Sequence, residues 1–172
     1  MHKSIISILV FVMFISVAAA QVLVSTADAE QNNILLEVKY HQLTKEAQKQ
    51  IDCLAENIYY EAGYEPEEGK IAVALVTLNR VNNGKFPKDI CSVVKQKTET
   101  VCQFSWFCES KKAKNEYHYN EATRVAIYVY ANYEKLPDLT QGALYYHADY
   151  VNPRWKLQKT VQIGRHIFYK ES

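Results

Sequence analysis

The sequence predicts an α+β domain in which helices come first and a small antiparallel sheet comes after them. Three observations carry this. Apolar residues recur at helical spacing from Ala47 to Ala62, and the run from Ile71 to Val81 is apolar nearly all round. The last third changes to short runs of strand-forming residues broken at Gly164-Arg165. The chain beyond the N-terminal apolar run has the length of one domain with one core, without internal repeats.

Met1-His2-Lys3 and the apolar run from Ile5 to Ala20 have the form of a secretory signal. Cleavage fits after Ala20 or after Ala29. The second is preferred because it removes Val22-Leu23-Val24, so residues 1–29 are assigned to the signal. An uncleaved anchor is the alternative, but the run is short for a membrane span. No other segment is long and apolar enough to cross, so no stable span is expected after cleavage. Residues 30–43 are polar around Ile34-Leu35-Leu36 and read as an arm or tether. The domain proper covers residues 44–172.

Thr44 is the expected N-cap of a helix ending at Ala62, with Gly63 as its C′ residue. Pro66 suits the first position of a second, central helix that Asn82-Asn83-Gly84 ends. Within it Asn79 and Arg80 need partners, and Arg80 could pair with Glu61 or Glu65. Ile90 to Val94 reads as one short helix and Gln96 to Glu99 as an exposed loop. Cys102 to Cys108 reads as an ordered loop. Asn120 is the expected cap of a third helix, which Pro137 stops. Ala143 to His147, Lys159 to Gln162 and His166 to Tyr169 read as strands, the last two as a hairpin.

Twenty basic residues against nineteen acidic ones leave a formal charge of +1, without the basic footprint of a nucleic-acid protein. Four cysteines behind an export signal predict two disulfides, with three pairings open. Cys102–Cys108 is preferred for one bridge, which leaves Cys53 near Cys91. The Cys102-x5-Cys108 spacing is not that of a usual zinc site.

The informative chemistry lies in Leu54 to Gly63. Glu61 comes seven residues after Leu54, which at about 100° per residue puts both within roughly 20° of one direction. Its carboxylate therefore shares the buried stripe of Ile51, Leu54, Ala55, Ile58 and Ala62. It also sits near the negative end of the helix dipole. Burial and dipole both disfavour ionisation, and a carboxyl protonated near neutral pH is what a glycosidic general acid requires. The competing reading is a rim glutamate held by an arginine or by backbone amides. Glu65 and Asp149 are candidates for a second carboxylate.

His118, His147 and His166 with Glu61 could form a metal set. Their spacing matches no paired-ligand motif, so no metal and no cofactor is expected. Gly-x-Ser-x-Gly is absent, and disulfides compete with any cysteine nucleophile. Among thirteen tyrosines, six phenylalanines and two tryptophans, Trp106, Tyr146, Trp155 and Phe104 could wall a saccharide groove. Gln103 and Ser105 could hydrogen-bond its acetamido or hydroxyl groups.

Taken together, these residues resemble a known family. The run Ala55-Glu56-Asn57-Ile58-Tyr59-Tyr60-Glu61-Ala62, then Glu65-Pro66, Gly69, Leu78-Asn79-Arg80-Val81, Phe86-Pro87 and Cys91-Ser92-Val93-Val94, is similar to the cell wall hydrolases of the spore cortex-lytic (SleB) type. So are Cys102-Gln103-Phe104-Ser105-Trp106, Ala143 to Ala148, Val151-Asn152-Pro153-x-Trp155 and Ile163-Gly164-x-His166-x-Phe168-Tyr169. Gly63 stands where that family often has arginine. The resemblance covers about residues 50 to 170. It implies a lysozyme-like, lytic-transglycosylase-like domain acting on peptidoglycan glycan strands. One glutamate, by motif position Glu61, would protonate the oxygen between N-acetylmuramic acid and N-acetylglucosamine. The muramic acid C6 hydroxyl would then close on C1, so no second carboxylate is needed.

The resulting expectation is an exported peptidoglycan glycosidase of the periplasm or cell wall. Glu61 is catalytic, and Gln103, Ser105, Trp106, Tyr146 and Trp155 contact substrate. A hydrolysing muramidase, a non-catalytic glycan-binding module and a metal-dependent amidase or peptidase are the alternatives.

Overall fold

A computed structural model describes residues 28, 30–32, 34–109 and 114–172. The apolar run from Ile5 to Ala20 and both cleavage positions lie outside them. The chain divides into two compact units, Met1–Gln42 and Leu43–Ser172. In the first, residues 34–42 form a helix, α1, where the sequence suggested only an arm or tether.

The second unit opens with α2, Lys45–Ala62. Thr44 caps it as expected, its hydroxyl accepting from the Ala47 N–H at 3.2 Å. Such a cap stabilises a helix by about 1 kcal/mol. The stripe of Ile51, Leu54, Ala55, Ile58 and Ala62 is buried. At about 1.5–3 kcal/mol per large side chain, that burial holds the helix more strongly than the cap does. Gly63 follows the helix as expected, with its backbone still in the right-handed region at φ −57°. Its N–H still bonds the Tyr59 carbonyl at 3.1 Å, so the chain carries on past Glu61 as a helical turn.

Pro66 is the N-cap of α3, Glu67–Asn82, so the helix starts one residue later than expected. This is the central helix, with Ala72, Val73, Ala74, Leu75 and Val76 almost wholly buried. Asn79 finds its partners in Asp138, Thr140, the Ala143 carbonyl and the Tyr133 hydroxyl. α4, Ile90–Val94, is capped by Asp89. The segment read as an ordered loop holds one helical turn, α5, Ser105–Cys108. α6 spans Glu116–Asn132 and is capped by Asn115, not by Asn120. It packs most extensively against α2.

Three strands complete the unit: β1 Tyr145–Ala148, β2 Gln158–Ile163 and β3 His166–Lys170, all antiparallel, in the order β1-β3-β2. Tyr146 lies opposite Phe168 and Tyr145 opposite Tyr169. Because side chains alternate along a strand, Tyr146 and Phe168 share one face. That face packs on Ala72 and Val76 of α3, joining sheet to helices. Both expected disulfides form, Cys53–Cys91 linking α2 to α4 and Cys102–Cys108 closing the loop that carries α5.

Candidate active site

Glu61 sits in the last turn of α2, half-buried. The same helical phase that buries Leu54 and Ile58 turns its carboxyl inward toward the sheet. There the Tyr146 hydroxyl, carried on β1, donates to Glu61 Oε2 at 3.1 Å. Among the described residues nothing else holds the carboxyl, so Oε1 is left for another partner. Glu61 lines a cleft of about 490 Å³ with Tyr59, Tyr60, Ala62, Gly63, Tyr64 and Glu65. A cavity of similar volume opens elsewhere, beside Leu78, Ile90 and Tyr133, and none of the expected site residues lines it.

Burial pushes the Glu61 carboxyl above the usual glutamate range. The Tyr146 hydrogen bond and the positive charge of Arg80 oppose this without cancelling it. Tyr146 is itself held well above its ordinary value, first by burial and then by the neighbouring Glu61, so it remains a neutral donor. Arg80 forms no contact ion pair with either Glu61 or Glu65. Its Nε donates to the Leu144 carbonyl at 2.7 Å, and its guanidinium lies over the rings of Phe86 and Phe104, each 5.3 Å away. The cation therefore acts on Glu61 only through space. His166, kept below its ordinary pKa chiefly by burial, sets its ring edge-on to Tyr146 at 5.2 Å.

Neither candidate for a second carboxylate is free. Glu65 Oε2 accepts the Arg165 N–H at 2.9 Å. It enters the β2–β3 turn so closely that a Cβ on Gly164 would lie 2.0 Å from it. Gly164 has φ +56°, so this turn needs glycine twice over, for its conformation and for the space. Asp149 faces Arg165 at 3.4 Å, while its own N–H donates to the Arg165 carbonyl.

The remaining expected residues are dispersed. Trp106 is buried in the core, not on a groove wall: its ring stacks on Tyr60 at 4.6 Å and its N–H donates to Asn57 Oδ1. Asn57 donates in turn to Thr77, so the buried amide is satisfied. Trp155 is 44% exposed and packs against Tyr145, His147 and Tyr169. These alternate with Tyr146 and Phe168, which places Trp155 on the side of the sheet away from Tyr146. Gln103 and Ser105 are exposed near α5, and among the described residues neither side chain bonds Glu61 or Tyr146. Trp106 nevertheless ties their loop to α2, one turn before Glu61.

Of the expected side chains, then, Glu61 and Tyr146 come together. Tyr59, Tyr60 and Tyr64 line the same cleft, and the sequence reading did not single them out. The available signal was their adjacency to Glu61 in Tyr59-Tyr60-Glu61-Ala62-Gly63-Tyr64.

Residues 64–169 match the cell wall hydrolase family. The match begins three residues after Glu61, so it covers the sheet and Tyr146 but not the acid. The spore cortex-lytic enzyme of Oceanobacillus iheyensis is 33% identical over 134 residues, which are 72% of this chain and 42% of that protein. That of Bacillus subtilis is 32% identical over 127 residues, 69% of this chain and 36% of that protein. The chain thus spans well under half the length of these relatives. Two solved structures are similar. The catalytic domain of Bacillus cereus SleB has a TM-score of 0.53 and 30% identity, covering 72% of this chain and 91% of that one. The catalytic domain of the germination-specific lytic transglycosylase SleB of Bacillus anthracis has a TM-score of 0.57 and 28% identity, covering 75% and 98%. The architecture is the lysozyme-like α+β fold that the sequence predicts.

Proposed function

We propose, because the chain belongs to the cell wall hydrolase family, that it cleaves peptidoglycan glycan strands between N-acetylmuramic acid and N-acetylglucosamine, as a lytic transglycosylase with Glu61 as its single acid and base. One observation carries this reading. A carboxyl raised in pKa by burial sits in an open cleft with a neutral tyrosine on one oxygen. The upward shift favours the protonated form, the form a general acid must offer to a bridge oxygen.

The steps balance on that one group. Glu61 gives its proton to the departing oxygen as the C1–O bond breaks. The C6 hydroxyl of the muramic acid forms the new bond to C1 and loses its proton to the Glu61 carboxylate, which restores the acid. No water is consumed. Tyr146 donates to Glu61 Oε2 and stabilises the carboxylate while it is charged. A hydrolysing muramidase needs a second carboxylate about 5–9.5 Å from the first. Glu65 is held by the β2–β3 turn and Asp149 faces Arg165, which supports the single-carboxylate route. The two disulfides and the N-terminal sequence support export to the periplasm or wall.

Clearing of a purified peptidoglycan suspension tests the reading. Glu61→Gln should fall by at least about a hundredfold while remaining folded. A folded variant with undiminished clearing refutes the assignment. A wild-type chain that sediments with peptidoglycan but releases no fragment would be a binding module instead.

A further inference from the structure

We propose that Tyr64, braced by His118, forms a stacking subsite for a second sugar of the strand whose bond Glu61 attacks. This rests on the reading of Glu61 as the proton donor, and it assigns the substrate contact to a side chain on the helical side of the cleft.

Tyr64 lines the Glu61 cleft and is 84% exposed. Its ring contact among the described residues is with the His118 ring, 4.4 Å away and tilted by 58°. His118 also meets Tyr117, 70% exposed, edge-on at 5.3 Å. A large aromatic ring this open, at the mouth of a cleft, loses hydrophobic contact that core packing would supply. Sugar rings present flat faces of C–H groups, which suit such a ring, while the phenol hydroxyl can meet sugar hydroxyls.

The rim is built, not loose. The start of α6 is fastened to the last turns of α2. The Asn115 N–H donates to the Tyr59 hydroxyl at 2.7 Å, Lys114 pairs with Glu56 at 3.2 Å, and the Lys114 ammonium lies 3.8 Å from the centre of the Tyr119 ring. His118 is therefore fixed relative to the helix that carries Glu61. Tyr64 follows Glu61 by three residues, in the turn after α2, and both line the same cleft. A strand engaged at Glu61 passes this rim with its neighbouring sugar. The occupant is a wall glycan of alternating N-acetylhexosamines, because Tyr64 lines the same cleft as Glu61.

Binding measured in the Glu61→Gln background separates this proposal from the catalytic one. Isothermal titration of the full chain with long glycan strands should show Kd raised about three- to tenfold by adding Tyr64→Ala, with Tyr64→Phe restoring most of it. A disaccharide should show little difference between the variants. In the Glu61 enzyme, Tyr64→Ala should raise KM by a similar factor with kcat changing much less. Unchanged Kd in Tyr64→Ala overturns the subsite, as does failure of phenylalanine to rescue. If wild type releases no fragments while Tyr64→Ala still weakens strand binding, the catalytic reading has failed and the subsite stands. Tyr64 is so exposed that its removal leaves the core intact, so altered folding does not confound the result.

Discussion

Burial raises the Glu61 pKa and outweighs the two groups that favour its charge, Tyr146 and Arg80. That fixes the sign of its effect on stability. Its folded pKa lies above the ordinary 4.5, so the contribution of its protonated form is fully present below the unfolded value and is lost as pH rises through the folded one. At neutral pH the native acid therefore weakens the fold. Glu61→Gln is neutral throughout, so its melting temperature should exceed wild type near pH 7, and the gain should vanish below about pH 4. A variant less stable than wild type at pH 7 contradicts this assignment. Tyr146→Phe removes a hydrogen bond that lowers the Glu61 pKa. The basic limb of the pH–activity profile should then move upward while kcat falls. A downward move would mean that the tyrosine acts on some other group.

At the scale of elements, the turn after α2 and the β2–β3 turn are fastened to each other by Glu65. Glu65→Gln keeps an acceptor for the Arg165 N–H and should unfold near the wild-type denaturant midpoint. Glu65→Ala should lose about 1–2 kcal/mol. Gly164→Ala should lose more, since alanine would meet both the positive φ and the Glu65 carboxylate; a Gly164→Ala chain of wild-type stability would remove Glu65 from this role. Replacing Cys53 and Cys91 together should cost about 2–4 kcal/mol by the same measurement. These elements differ in how far the sequence revealed them. α2 and α3 were legible because burial of one stripe, or of nearly every face, leaves a periodic record. The start of α6 was not. Its first turn is aromatic and largely exposed, and is held by Asn115 on Tyr59 and Lys114 on Glu56, contacts between residues more than fifty positions apart. α5 escaped the sequence reading because one turn of helix has too few residues to show a period, and tertiary burial of Trp106 fixes it.

Across the whole molecule, the order of helices before sheet and the placement of an acid at a helix end could be read from patterns along the chain. Which aromatics face that acid could not. Trp106 and Trp155 looked alike as groove walls, yet one ring stacks on Tyr60 and the other lies behind the sheet. That choice is made by strand alternation and helix packing, not by residue type. Tyr146 was legible as a candidate, while its pairing with Glu61 bridges 85 positions of sequence and had no local sign. Among the described residues no helix is long and apolar enough to cross a membrane. The proposed chemistry depends on one helix end meeting one strand, Glu61 of α2 and Tyr146 of β1. Mass spectrometry of the soluble fragments released from purified peptidoglycan tests this most directly. The wild-type chain should release fragments with 1,6-anhydro-muramic ends, and folded Glu61→Gln should release none. Fragments that have instead gained water at a reducing muramic end, or any release by the glutamine variant at the wild-type rate, would contradict the proposed chemistry.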